Sequence, residues 1–143
     1  MSNKQTGNIT FKMIITQGLE VAETSYETKG TLFLKNNQYY LFYDESSVDD
    51  ESITKCRYEF TESELRVRRQ GHVVVDQEHR IGEQTLGYMK TQYGNIDTVI
   101  KTHQLTVTNN NDSIQIVVDY DLYISNERTG NYKLTIFFNK EEI

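Results

Sequence analysis

The stretch that decides the fold is residues 113–125, SIQIVVDYDLYIS. Every second position is apolar or aromatic: Ile114, Ile116, Val118, Tyr120, Leu122 and Ile124. The positions between them are polar, as Gln115, Asp119, Asp121 and Ser125, apart from Val117 and Tyr123. Because successive side chains of a strand point to opposite faces, this alternation predicts a strand with one buried side and one solvated side.

The same alternation occurs at both ends of the chain. The inward positions would be Ile9, Phe11, Met13 and Ile15 in the first strand, and Tyr132, Leu134, Ile136 and Phe138 in the last. The composition agrees, since Thr, Ile, Val, Tyr and Phe make up 54 of the 143 residues and favour pleated sheets. Ala, the best helix former, occurs once. These features predict an all-β protein and argue against a helix bundle.

Turn signals between the strands allow the hairpin registers to be predicted. An Asn36–Asn37 loop would place Leu34 opposite Tyr39 and Leu32 opposite Leu41, and a Glu62–Ser63 turn would place Phe60 opposite Leu65 and Cys56 opposite Arg69. Further turns are predicted at Tyr93–Gly94 (Tyr88 opposite Val99), at residues 109–112 (Val107 opposite Ile114) and at residues 126–128 (Leu122 opposite Tyr132). The connection at Gln70–Gly71 needs a third loop residue, His72, or a bulge, so that Val67 lies opposite Val75.

Sequential hairpins without a long crossover favour a closed barrel over a sandwich, because closure removes exposed sheet edges. We therefore predict one domain over residues 1–143, an antiparallel up-and-down β-barrel of about 8–10 strands, with residues 1–8 loosely attached. The interior of such a barrel holds either side chains or one small ligand.

Several short motifs resemble those of a known bacterial family. They are Lys29-Gly30-Thr31-Leu32, Tyr39-Tyr40-Leu41, Arg69-Gln70-Gly71, residues 88–94 (YMKTQYG), Thr102 and residues 118–122 (VDYDL). In order and spacing the chain is similar to the YwiB-like β-barrel proteins of low-GC Gram-positive bacteria, from about residue 9 to residue 137. The resemblance implies a calycin-like, lipocalin-type barrel and supplies no activity, because that family is a domain of unknown function.

The net charge and the sequence motifs argue against several classes of function. The net charge of −6 argues against duplex nucleic acid as a partner. A single cysteine, Cys56, agrees with a reducing compartment, and neither a secretory signal core nor an apolar run of membrane-spanning length occurs. We expect a cytoplasmic protein that does not enter membranes. Without a nucleophile elbow, phosphate loop or dinucleotide fingerprint, no enzymatic activity and no cofactor are predicted.

The candidate ligand-binding residues are polar groups on predicted inner faces. Arg69 shares the parity of Leu65 and Val67, so it should point into the barrel, where it needs acceptors within the protein or an acidic ligand. A purely structural role, with Arg69 packed on aromatics or bonded to carbonyls, is the alternative.

Lys101 and His103 share the parity of Leu105 and Val107. In a regular strand both would enter the lumen beside Tyr88 and Tyr120, giving an apolar site with cationic and phenolic groups. In the alternative, a β-bulge between Ile100 and Leu105 turns both side chains to solvent and points Ile100 or Thr102 inward.

A second candidate surface lies on the outer face of the predicted sheet. Phe33, Tyr40 and Phe42 face away from the core, with Phe33 directly opposite Tyr40. Such a patch fits a protein partner or a homodimer. The alternative is that the N-terminal segment or the loop of residues 44–51 covers it.

Metal binding is not predicted. Five acids lie between Asp44 and Glu51, but they lack the spacing and glycine of a calcium loop. The histidines His72, His79 and His103 lack zinc-ligand spacing. The leading hypothesis is therefore a non-enzymatic protein that binds a small amphipathic or anionic molecule in its lumen, and the alternative is an interaction module that uses the outer aromatic face.

Overall fold

Ten antiparallel β-strands account for nearly all of the residues that the structure describes. The structure is a computed structural model and describes residues 3–46 and 52–141. The strands are β1 Asn3–Gln17, β2 Glu20–Lys35, β3 Gln38–Ser46, β4 Ile53–Phe60, β5 Glu64–Gln70, β6 Val74–Arg80, β7 Gln84–Thr91, β8 Gly94–Asn110, β9 Ser113–Ile124 and β10 Glu127–Lys140. Within this part of the chain, no helix has the length and hydropathy that a membrane crossing requires.

The sheet closes on itself. Each strand pairs with its neighbour in sequence, and β1 also pairs with β10, with Gly7–Thr16 lying opposite Asn131–Lys140. The predicted closed up-and-down barrel is confirmed. Residues 3–8, for which the sequence predicts loose attachment, belong to β1 and lie opposite residues 29–34 of β2. Residues 1 and 2 lie outside the described residues.

The hairpin turns explain which registers were predicted correctly. Asn36 and Asn37 both adopt positive φ, 53° and 65°, as a two-residue hairpin loop requires. The registers around this loop and around the β4–β5 turn are as predicted.

Three other predicted registers were wrong by two residues. Tyr88 lies opposite Asp97, Val107 opposite Ile116, and Tyr120 opposite Tyr132. In each case the loop is shorter than predicted or lies at a different position. Between β9 and β10, for example, the loop is Ser125–Asn126 instead of residues 126–128, and the φ angles of 53° and 66° suit a two-residue loop. The β5–β6 connection does hold three residues, 71–73, but it places Val67 opposite Gln77.

A β-bulge interrupts β8. Thr102 lies opposite Tyr120 and Gln104 lies opposite Asp119, so His103 is an extra residue with no counterpart on β9. An extra residue reverses the side-chain alternation on either side of it. Ile100 and Thr102 therefore point inward before the bulge, and Leu105 points inward after it.

A tightly packed part of the core lies at one end of the barrel. We call this the closed end; it carries the β2–β3, β4–β5, β6–β7 and β8–β9 connections. Its lumen is filled by large side chains that are 5% exposed or less: Ile9, Leu41, Phe60, Leu65, Leu105, Ile114, Ile116 and Phe138. The opposite end, which carries the β1–β2, β5–β6, β7–β8 and β9–β10 connections, is called the open end.

Candidate functional site

A cavity of about 500 Å³ occupies the lumen at the open end. Its walls are mainly apolar and include Phe11, Met13, Ile15, Val67, Val75, Met89, Leu122 and Leu134. Polar groups also line it, among them Thr54, Tyr58, Arg69, Gln77, Tyr120 and Tyr132. Its volume lies within the range of about 300–1,000 Å³ that is usual for small-molecule sites, and a few polar groups in an apolar wall are typical of them.

Arg69 supplies a positive charge to this cavity. It lies on the inner face of β5, between Cys56 of β4 and Val75 of β6. Its guanidinium Nη2 donates a hydrogen bond to Oε2 of Glu45, near the end of β3, and forms an ion pair with it. The two side chains are only 29% and 27% exposed, so each charge depends on the other for its partner.

Three tyrosines form a hydrogen-bonded chain through one wall. The hydroxyls of Tyr26 and Tyr43 are 2.8 Å apart, and those of Tyr43 and Tyr58 are 2.9 Å apart. Phe11 stacks on Tyr26 with ring centroids 4.5 Å apart. Burial raises the pKa of all three phenols above the ordinary value. They therefore stay protonated at neutral pH and can donate as well as accept hydrogen bonds.

Cys56 lies beside this chain and is 2% exposed. Burial raises the pKa of its thiol to about 11, although the positive charge of Arg69 acts in the opposite direction. Since the thiolate is the reactive form of cysteine, a thiol that stays protonated at neutral pH is a poor nucleophile. Cys56 acts here as a packing residue.

A second buried polar cluster surrounds His79 of β6. Its Nδ1 is 3.1 Å from the hydroxyl of Thr102, and its Nε2 is 3.3 Å from Oε1 of Gln77. Its ring lies 4.6 Å from that of Tyr120, which stacks on Tyr132. Burial lowers the pKa of His79 to about 4, so the imidazole is neutral at pH 7.

Comparison with known proteins places this barrel in a family. The family described as "Domain of unknown function (DUF1934)" matches residues 9–136. The chain belongs to the DUF1934 family. A relative is the "Uncharacterized beta-barrel protein YwiB" of Bacillus subtilis (strain 168), which is 25% identical over 113 residues, covering 79% of this chain and 78% of that protein.

A solved structure supports the fold of this DUF1934 protein. The crystal structure of ywiB protein from Bacillus subtilis superimposes with a TM-score of 0.85, covering 97% of this chain and 94% of that one at 20% identity. The resemblance to YwiB-like proteins and the barrel fold predicted from the sequence are both confirmed. At this identity the likeness speaks for the fold alone, and neither name states a ligand, a reaction or a partner.

Two of the predicted ligand-binding residues lie in the cavity of the DUF1934 barrel. Arg69 and Tyr120 both line it, as their strand parity predicted. Sequence reasoning missed Glu45, Tyr58 and Gln77. The alternation of the strands places all three on the inner face, but no sequence motif near Glu45 indicates that its side chain would reach Arg69 across β4.

Three predicted ligand-binding residues point the other way. The bulge at His103 turns Lys101 and His103 to the outer surface, so their inward orientation was wrong and the alternative is correct. Outside, Nε2 of His103 lies 3.0 Å from Oδ2 of Asp121, and Nζ of Lys101 lies 4.8 Å from the ring centre of Tyr123. Tyr88 also points outward and is 36% exposed. Its predicted inward orientation was wrong because it depended on pairing with Val99, which the bulge in β8 turns outward.

The predicted outer aromatic patch, defined as Phe33, Tyr40 and Phe42, does form on β2 and β3. Phe33 lies opposite Tyr40, and its ring meets that of Phe42 edge to face at 5.7 Å. Phe42 is 38% exposed. On the β1 side the patch borders Lys4, which lies opposite Phe33 in the sheet.

Most of the acidic loop lies outside the described residues, which include Asp44, Glu45 and Ser46 but not residues 47–51. Across residues 3–46 and 52–141, no group of three or more His, Cys, Asp or Glu side chains is arranged to hold a metal ion.

Proposed function

We propose that this protein binds a small amphipathic molecule in the cavity at its open end and performs no catalysis, in the cytoplasm and without a cofactor. The observation that carries the proposal is the cavity of about 500 Å³, with apolar walls and a polar side formed by Arg69 and Tyr58. An apolar chain would pack against Phe11 and Leu134, while a polar end would meet the guanidinium and the phenol.

Binding should depend on the length of the apolar chain. Each methylene removed from water contributes about 0.8 kcal/mol, which corresponds to about a fourfold gain in affinity. We expect this increment along a series of straight-chain alcohols until the chain fills the cavity, after which the gain stops. Isothermal titration calorimetry of the intact protein would measure the series.

A blocked cavity tests the proposal directly. Val75 lines the cavity, whereas its neighbour Val74 points outward on the same strand, opposite Lys90. We expect Val75→Trp to weaken the binding of decanol by about tenfold, because the indole occupies the space of the ligand. The same change at Val74, Val74→Trp, is the matched control and should leave affinity within twofold of wild type.

The proposal fails if wild type binds decanol no more tightly than Val75→Trp does. Native mass spectrometry of protein purified gently from its host provides a second measurement. A molecule that copurifies with wild type and is lost in Val75→Trp supports lumen binding, whereas a molecule retained by both variants would place it elsewhere.

A second candidate function is protein association through the outer aromatic patch. Phe42 is in contact with Phe33, yet more than a third of its surface remains exposed. Aromatic residues are enriched at protein interfaces. A homodimer would bury the patch against a second copy of itself.

Sedimentation velocity over a concentration series tests the dimer. We expect wild type to shift towards a dimer as concentration rises and Phe42→Ser to remain a monomer. Leu86→Ser, which removes an apolar side chain that is 75% exposed on β7, outside the patch, is the control and should sediment like wild type. A wild type that is monomeric throughout would exclude the homodimer.

A further inference from the structure

We propose that Glu45 is an internal competitor for the ligand, and that the cavity takes an amphiphile with an anionic, carboxylate-like head that replaces Glu45 on Arg69. This inference rests on the proposed function, since it names the head group of the molecule that would enter the lumen. It begins from the position of the Arg69–Glu45 ion pair within the barrel wall.

The two residues occupy successive levels of the wall. Arg69 belongs to the row in which Tyr43, Cys56, Arg69 and Val75 lie side by side on the inner face. Glu45 lies opposite Thr54, two residues nearer the open end. The backbone of Glu45 therefore lies nearer the open end than that of Arg69, and its carboxylate reaches back to the guanidinium. An anion that approaches Arg69 from within the cavity meets a guanidinium that is already paired with Glu45.

Arg69 cannot lose its charge, and its surroundings in the cavity are largely apolar, so it requires an acceptor in every state of the protein. Glu45 meets this requirement when no ligand is present. The contact from Nη2 uses one of the five N–H donors of the guanidinium. The carboxylate of a ligand has the same planar geometry as that of Glu45 and would accept the same hydrogen bond from the guanidinium.

Exchange of one carboxylate for another conserves the type of charge-assisted hydrogen bond at Arg69. Glu45 is the second-last residue of β3, and its side chain is already 27% exposed, so it can turn to solvent when displaced. The free energy of exchange is then dominated by the apolar part of the ligand, which is buried against Phe11, Leu122 and Leu134. An anion without an apolar tail would gain little over Glu45.

Tyr58 adds a second contact for the head group. Its side chain lines the cavity, and its hydroxyl shares a hydrogen bond with Tyr43. Because the hydroxyls of Tyr26, Tyr43 and Tyr58 are linked, their protons can reorient so that Tyr58 donates towards an incoming oxygen.

The test compares decanoate with decanol, which have the same carbon chain and differ in head charge. Glu45→Gln removes the competitor, and we expect it to tighten decanoate binding by about fivefold to tenfold while decanol stays within twofold of wild type. Asp44→Asn is the matched control, because it removes one negative charge from the adjacent, outward residue; it should change either affinity by less than twofold. Calorimetry at neutral pH measures the six affinities, those of two ligands for each of three proteins.

Arg69→Gln should weaken decanoate binding by at least tenfold and leave decanol nearly unchanged. In the double variant with Glu45→Gln, the gain from removing Glu45 should disappear, since there is no longer a cation to compete for. Folding of each variant is checked by its urea midpoint.

The sign of the Glu45→Gln effect decides the inference. If Glu45 only positions Arg69, Glu45→Gln weakens decanoate binding or leaves it unchanged, and the competitor role is overturned. If decanol binds and Val75→Trp blocks it while decanoate shows no response to Glu45→Gln, the proposed lumen function stands and this inference alone fails. If neither compound binds to the wild type, the proposed function fails as well.

Discussion

Acidification from pH 7 to pH 4 is expected to lower the free energy of unfolding by about 3 kcal/mol through His79 alone. Burial lowers the pKa of this imidazole from 6.5 to about 4 in the folded chain, whereas the unfolded chain restores the ordinary value. The unfolded state therefore binds the proton more tightly. The contribution of neutral His79 is complete above pH 6.5, is lost progressively between pH 6.5 and pH 4, and falls no further below that range.

The contacts of His79 explain why its protonation is unfavourable. A neutral ring with its proton on Nε2 donates to Oε1 of Gln77 and accepts at Nδ1 from the hydroxyl of Thr102. A second proton, on Nδ1, would face the Thr102 oxygen without any carboxylate to balance the charge, in a site that is 1% exposed. Desolvation is then uncompensated.

Urea unfolding at several pH values between 7 and 4 measures this loss. In His79→Gln the loss in this window should shrink by most of the 3 kcal/mol, although the variant is less stable than wild type at pH 7. His103→Asn, which changes an outward histidine that is 53% exposed, is the control and should keep most of the loss. Asp121 does not interfere, because hydrogen bonds from Arg128 and Asn131 outweigh burial and lower its pKa to about 2, so its contribution is lost only below pH 3.8. An unchanged profile in His79→Gln would contradict the assignment.

The two-residue alternation predicted most inner faces correctly because it depends only on parity. A register error of two residues, as at the β9–β10 hairpin, moves a side chain along the strand but keeps it on the same face. Ile114, Ile116 and Val118 are therefore buried as predicted, although their partners differ.

A single inserted residue had the opposite effect. The bulge at His103 reverses parity within β8, so Leu105 faces inward while Val99 and Lys101 face outward. The face of Tyr88 was predicted from its pairing with Val99, so it was also wrong: Tyr88 points outward. No residue type in this segment distinguishes a bulged strand from a regular one, because both alternatives leave apolar side chains inside.

The polar groups of the lumen were predicted only in part, because their partners are distant in sequence. Arg69 was identified from parity, but Glu45 is 24 residues away along the chain and reaches it across β4. The sequence around His79 is polar and does not predict that this side chain is buried. Its burial follows from its place opposite Leu65 in the sheet. Such contacts depend on how far each strand extends, which alternation does not encode.

Gly30 is a position where the barrel wall leaves no room for a side chain, and Gly30→Ala is expected to lower the free energy of unfolding by about 3 kcal/mol. A Cβ at this position would lie 2.2 Å from Cδ1 of Ile9 and 2.7 Å from the carbonyl oxygen of Phe42. Ile9 is 0% exposed, so any movement of its side chain would disturb the packed core. Glycine is therefore required where β1, β2 and β3 meet, since Gly30 lies opposite both Gly7 and Tyr43.

Gly18→Ala is the matched control for this substitution. Gly18 has a φ of 61° and no atom within 4 Å of the added Cβ, so its replacement costs only the left-handed backbone, about 1 kcal/mol. Adding Ile9→Val to Gly30→Ala removes the clashing Cδ1 atom and should recover part of the loss, whereas Ile9→Val alone should cost about 1 kcal/mol. The rest of the loss should persist, because the carbonyl of Phe42 belongs to the β3 backbone. If urea unfolding shows equal losses for Gly30→Ala and Gly18→Ala, close packing at this junction does not limit stability.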